Sequence, residues 1–169
     1  DKEERIAEVQ AHARALLAER DVDPAAIDAL WRDLGETYFL RHNADEIAWH
    51  TAALVEHGDS EQALILLRRE TQRGSTELFV SRPDHRYRFA LVTAVLDRMR
   101  LSVVDARILT SHSGRTMDTY LVLEANGEPI ADDFRIEDIR RGLTGALATP
   151  ERLPAPSGRR ASRRLRHFE

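Results

Sequence analysis

The sequence predicts an α+β protein, with a helical N-terminal segment followed by a small domain of antiparallel sheet and helices. Three observations predict it. Apolar residues recur at three- and four-residue spacing through the first 58 positions. From about residue 62 the pattern changes to short β-rich runs divided by turn residues. Two further helical stripes are interleaved with those runs. A chain of 169 residues buries roughly 70% of its unfolded surface, so it needs no covalent staple.

Ile6, Val9, Ala13, Leu16 and Leu17 form the first helical face, and Asp21-Val22-Asp23-Pro24 ends that run. Asp23 as N-cap and Pro24 at the first helical position open a second helix with Ile27, Leu30, Trp31 and Leu34 on one side, closed by Gly35. Asn43, with Glu46 three residues on, has the form of a capping box and starts a third helix that runs to Gly58. The β-rich runs predict strands at Ala63 to Arg69, Thr76 to Ser81, Leu101 to Thr110 and Met117 to Glu124. A helix is predicted from Tyr87 to Met99. Another starts at Asp132-Asp133, with Phe134, Ile136, Ile139, Leu143 and Leu147 on one stripe. Ser113-Gly114 predicts a tight hairpin and Asn126-Gly127 a second turn.

From Thr76 the order is β, α, β, β, α, the ferredoxin-like split pattern without its last strand. The Ala63 to Arg69 strand, folded back by a turn over Glu70 to Gly74, is expected to take that place and complete an antiparallel four-stranded sheet. The alternative fourth strand would come from the tail after Arg164. Three parts follow: a helical connecting segment at 1–60, the sheet domain at 61–148, and a Pro- and Arg-rich linker at 149–169.

Composition removes several function classes. Hydrophobic residues at 42% and charged residues at 32% exclude intrinsic disorder and collagen-like repeats. Without cysteine there is no disulfide, zinc ribbon, iron-sulfur cluster or thiol nucleophile. Lys2 is the only lysine, which excludes a phosphate-loop lysine in the body of the chain. No apolar run approaches the ~20 residues that span a bilayer, and the opening Asp1-Lys2-Glu3-Glu4 is unlike a signal peptide. The expectation is a cytoplasmic protein with no membrane partner. Lacking an initial methionine, the chain is expected to be a fragment of something longer.

Each cluster that might carry chemistry has a plainer reading. Gly74-Ser75 followed by acids suggests a nucleotidyltransferase turn, but a β-rich run follows Ser75, and Arg86 stands where a second carboxylate would be needed after Asp84. A hairpin turn suffices. His50 and His57 are seven apart, whereas metal ligands on one helix come three or four apart, so these two and His42 are read as surface or interface histidines and no metal is expected. Asp132-Asp133 stand where a helix N-terminus favours negative charge. The six arginines from Arg152 to Arg166 have no interleaved aromatics, and nucleic acid is not expected as a partner. More informative is the loop Arg82-Pro83-Asp84-His85-Arg86. Amide groups at the following helix N-terminus attract a carboxylate, while Asp84 can accept from an ammonium, a combination suited to a zwitterionic amino acid.

At Thr76 to Glu124 the chain resembles an ACT domain, a ferredoxin-like module that senses small metabolites. More narrowly, five stretches are similar to the C-terminal part of the bacterial PII uridylyltransferase/uridylyl-removing family. They are Tyr38-Phe39-Leu40-Arg41-His42, Ile47-Ala48-Trp49-His50, Thr76-Glu77-Leu78-Phe79-Val80, Leu101 to Ile108, and Met117-Asp118-Thr119-Tyr120. The resemblance covers most of residues 30–148. It implies a parent enzyme with a nucleotidyltransferase domain, a His-Asp hydrolase domain, a helical connection and two ACT domains that report glutamine. This segment would hold the connection, the first ACT domain and the linker to the second, with no catalytic residue and no cofactor of its own. Mg²⁺ is implied for the full-length enzyme. The implied partners are the PII signalling protein, glutamine, and the second ACT and catalytic domains of the same chain. Family ligands lie near the first loop and the second core strand, which points to Asp84, His85, Arg86, Tyr87, Ser102 and Val103. Many members carry Pro-Gly where this chain has Arg86-Tyr87, and glycine there allows a ligand close to the backbone. That departure favours an architectural alternative, in which the second ACT domain alone binds the effector.

Overall fold

A computed structural model describes residues 1–69, 74–148 and 166–167, the last pair by backbone only. By its contacts the chain divides into two compact units. One contains Asp1–Ser60 together with Thr110–Gly114; the other contains Glu61–Leu109 and Arg115–Phe168.

In the helical unit, α1 (Lys2–Glu19) starts at Asp1, whose carboxylate accepts from the Glu4 amide, and buries only Ala13 and Leu17. Asp23 caps α2 (Pro24–Arg32) by accepting from the Ala25 amide, with Pro24 at the start as its missing N–H allows. Tyr38 and Phe39 form a six-residue helix, α3 (Glu36–Arg41), which the sequence pattern does not separate from the preceding loop. The Asn43–Glu46 capping box is complete at the start of α4 (Ala44–His57): Glu46 N donates to Asn43 Oδ1 at 2.8 Å and Asn43 N to Glu46 Oε1 at 3.1 Å. Gly58, at φ +66°, ends α4. The core is aromatic. The Trp31 indole donates to Thr51 Oγ1 at 3.0 Å and meets Phe39 edge to face. Tyr38 Oη and His50 Nδ1 are 2.8 Å apart, and His42 Nδ1 lies 2.8 Å from the Tyr38 carbonyl. His42 and His50 are therefore buried core residues, correcting the surface reading; their rings share hydrogen bonds with Tyr38 that let them leave water.

The second unit is one sheet with two helices on one face. Its elements are β1 (Leu64–Arg69), β2 (Thr76–Ser81), α5 (Arg88–Arg98), β3 (Leu101–Ile108), β4 (Asp118–Glu124) and α6 (Asp133–Leu147). The strand order β1-β2-β4-β3 is antiparallel throughout, with Leu64 opposite Ser81 and Arg69 opposite Thr76. β1 thus occupies the place of the missing last strand, as expected. The turn that joins it to β2 lies mostly outside the described residues. Leu78, Val80, Val103, Tyr120 and Val122 from the strands share one core with Leu91 and Leu96 of α5 and Ile139 and Leu143 of α6. A two-residue strand, β5 (Arg166–His167), adds in parallel beside β3, so the tail supplies a fifth strand at the far edge. The rest of the 149–169 linker lies outside the described residues.

Two local expectations are corrected. Phe134 is 82% exposed, because Asp132 caps α6 through the Arg135 amide and the apolar stripe turns inward only from Ile136. Ser113-Gly114 is not a tight hairpin. β3 stops at Ile108 and β4 starts at Asp118, and the intervening tip packs in the helical unit: Ser113 donates from N and Oγ to the Asp33 carboxylate at 2.7 and 2.6 Å, and His112 N donates to the Asp33 carbonyl at 2.8 Å.

Candidate functional site

The loop between β2 and α5 is held by the base of the β3–β4 connection. Arg82 N donates to Thr116 Oγ1 at 3.2 Å, Thr116 N returns a bond to the Arg82 carbonyl at 2.8 Å, and Arg115 Nε donates to Ser81 Oγ at 2.8 Å. Within the loop His85 Nδ1 accepts from Tyr87 N at 3.2 Å, which places the ring proton on Nε2. The Arg86 guanidinium lies 5.2 Å from the centre of the Tyr87 ring, and Tyr87 is 43% exposed.

Beneath the loop is a charged fork. Arg88, the first residue of α5, sends Nη1 to Asp84 Oδ1 at 2.7 Å and Nε to Asp118 Oδ2 at 3.1 Å. Exposure falls along this series: the Asp84 side chain is 46% exposed, Arg88 14% and Asp118 2%. Leu109 N donates to the other oxygen of Asp118 at 3.1 Å. Burial pushes the Asp118 carboxyl up to about 7, against the lowering pull of Arg88 and of the Leu109 amide. For Arg88 burial acts against the charge, but the two carboxylates outweigh it and hold the pKa above its ordinary value. Tyr120, two residues along β4, is fully buried, and its hydroxyl has no hydrogen-bond partner among the described residues. Burial first, then the Asp118 charge, raises its pKa well above normal.

Of the six residues singled out in the sequence, the structure groups Asp84, His85, Arg86 and Tyr87. It does not bring Ser102 and Val103 to them. β2 and β3 each run antiparallel to β4 and so run the same way, which puts the start of β3 at the opposite end of the sheet from the loop that follows β2. Val103 is 1% exposed in the core, and Ser102 points to the other sheet face. Sequence reasoning missed Arg88, Asp118 and Tyr120. A signal was present in Asp118, an acid at an inward position of a strand whose alternate residues Tyr120 and Val122 are core.

Asp132 is spent on its cap and Asp133 pairs with Arg69 at 2.9 Å, while no group of three His, Asp or Glu gathers among the described residues. No helix among the described residues is long and apolar enough to cross a membrane.

Fold and site together define a ferredoxin-like α+β domain that follows a helical segment in the chain, with a charged fork under its first loop-to-helix junction. A family model described as the fifth domain of uridylyltransferase GlnD matches residues 1–53. The chain is 44% identical over 171 residues to the bifunctional uridylyltransferase/uridylyl-removing enzyme of Stutzerimonas stutzeri (strain A1501), with 99% of the chain and 19% of that protein covered. It is 42% identical to the enzyme of the same name from Pseudomonas entomophila (strain L48), with 100% of the chain and 19% of the relative covered. The same identity is found with that of Azotobacter vinelandii (strain DJ / ATCC BAA-1303), with 99% and 19% covered. The chain spans about a fifth of the length of the curated relatives it matches. Along that fifth it is similar to the bifunctional uridylyltransferase/uridylyl-removing enzymes. No solved structure matches it.

Proposed function

We propose that this chain is a regulatory segment of an enzyme that adds UMP to, and removes it from, the PII signalling protein, and that its ACT-type domain helps convert glutamine level into the choice between the two. The observation that carries the reading is similarity along essentially the whole chain to one fifth of the bifunctional enzymes, joined to a ferredoxin-like sheet. Glutamine would bind at the Asp84–Tyr87 loop and favour one arrangement of domains. A bias of about 1–3 kcal/mol is the ordinary size of such coupling. Catalysis, with its Mg²⁺, would belong to other parts of the enzyme.

A second reading, an architectural domain with no ligand of its own, is favoured by one specific observation: the Asp84 carboxylate is already engaged by Arg88. Calorimetric titration separates the two. Sensing predicts saturable glutamine binding to this chain in the millimolar range or below, and a raised glutamine requirement in the whole enzyme carrying Asp84→Ala. No heat of binding, together with an unaltered response of the variant enzyme, leaves the architectural role.

A further inference from the structure

A cavity of about 370 Å³ opens within the helical unit, between α1 and the turn from α3 to α4. That volume lies in the range of small-molecule sites. Its inner wall is apolar and set in place by the core behind it. Phe39 is 5% exposed and is held edge to face by both Trp31 and Tyr38, and Val9 of α1 and the half-buried Leu40 extend the wall. His42 also lines it, with its ring fixed by the 2.8 Å bond between Nδ1 and the Tyr38 carbonyl.

The rim is polar, and its groups are not spent on the fold. Arg5, Glu8 and His12 stand at positions i, i+3 and i+7 of α1, along one face and over about 10 Å of helix axis. None of the three side chains has a hydrogen bond or ion pair among the described residues, whereas Lys2 and Arg14 of the same helix reach Glu36 and Asp28. On the α4 side, Asn43 gives its Oδ1 to the cap and keeps both amide hydrogens. The N–H of Ala44, in the first turn of α4, has no intrahelical partner.

We infer that this cavity is a binding site for a small organic monocarboxylate with an apolar body and a hydroxyl group at its far end. The carboxylate pairs with the Arg5 guanidinium, the body lies on Val9, Phe39 and Leu40, and the hydroxyl donates to Glu8. Arg5, the Asn43 amide and the Ala44 N–H offer hydrogen bonds to an anion, while the Glu8 carboxylate disfavours a second negative charge on the ligand. A phosphate dianion is therefore the poorer fit. The site lies in a different unit from the Asp84–Tyr87 loop and does not depend on glutamine sensing.

The test is an NMR titration of the ¹⁵N-labelled 169-residue chain with three probes: 4-hydroxybenzoate, 4-hydroxybenzamide and benzoate. With 4-hydroxybenzoate at millimolar concentration, the amides of Val9, Leu40 and Ala44 should shift saturably. The uncharged 4-hydroxybenzamide should bind on the order of tenfold more weakly, the scale of one charge-assisted hydrogen bond. Arg5→Gln should erase that difference, while Glu8→Gln should erase the advantage of 4-hydroxybenzoate over benzoate. Both side chains are exposed, so neither variant should disturb the fold. Binding that ignores Arg5→Gln, shifts that map away from the cavity, or no saturable shift with any probe overturns the inference. Asp84→Ala should leave these titrations unchanged, so this inference and the sensing reading can fail separately.

Discussion

Asp118 shows how one side chain can set a pH profile. Its carboxyl is pushed up to about 7 in the folded protein, whereas the same group in an unfolded chain titrates near ~3.9. Between those values the folded state holds a proton that the unfolded state has released. Its contribution to stability is thus complete below about pH 4 and is lost as the pH rises through about 7. Asparagine is neutral throughout, so Asp118→Asn should flatten this part of the profile; denaturant midpoints between pH 4 and 8 give the measurement, and an unchanged slope would trace it to other groups. Tyr120→Phe removes a hydroxyl with no partner among the described residues, so it should leave stability unchanged or raise it by up to about 1 kcal/mol. A loss beyond about 1 kcal/mol would mean that the hydroxyl is satisfied in solution.

At the scale of elements, the helix ends and glycines make separate predictions. Asn43→Ala removes the Oδ1 that accepts from the Glu46 amide, leaving only the backbone-donated bond of the capping box, and should cost about 1 kcal/mol in thermal or chemical denaturation. In α6 a methyl group on Gly145 meets nothing within 4 Å, so Gly145→Ala should stabilise by about 0.5–1 kcal/mol through helix propensity. The neighbouring Gly142 differs, because a Cβ there would come within 2.9 Å of the Met99 methyl. Met99 must swing aside, and the propensity gain should be largely offset. Stabilisation at Gly142 equal to that at Gly145 would show that the thioether moves without cost. The caps at Asp23, Asn43 and Asp132 were legible in the sequence because a cap is set by residues three or fewer apart. So were the strands, whose alternation is equally local. α3 was not, since six residues carry too little periodicity, and neither was the exposure of Phe134, which depends on where the first turn of α6 meets the sheet. The candidate site was half legible. The loop announces itself by its turn residues, but the Arg88 fork joins residues thirty positions apart, and the placement of Ser102 follows only from strand direction.

Across the whole molecule, the helical unit is not one stretch of chain. Residues Thr110–Gly114 are counted in it by their contacts, although the sequence on both sides of them belongs to the sheet unit. A peptide of residues 1–60 therefore lacks the two bonds that Ser113 makes to the Asp33 carboxylate. It should unfold at lower denaturant than the same helices in the full chain, by about 1–3 kcal/mol, and Asp33→Ala in the full chain should reproduce part of that difference. Equal stability of the peptide and the parent would mean that the clasp at Asp33 contributes nothing. The sequence divides at residue 60; nothing local in Ser111-His112-Ser113-Gly114 discloses that this turn bonds to a side chain eighty positions away.

The Asp33 clasp has a consequence for anyone recombining relatives of this protein. A crossover placed at the apparent border near residue 60 would inherit the helices from one parent and the segment that completes them from the other. Chimeras that transplant residues 110–114 along with the helices should be recovered as soluble protein more often than those cut at the border alone, most visibly where the donors differ at the positions of Asp33 or Ser113.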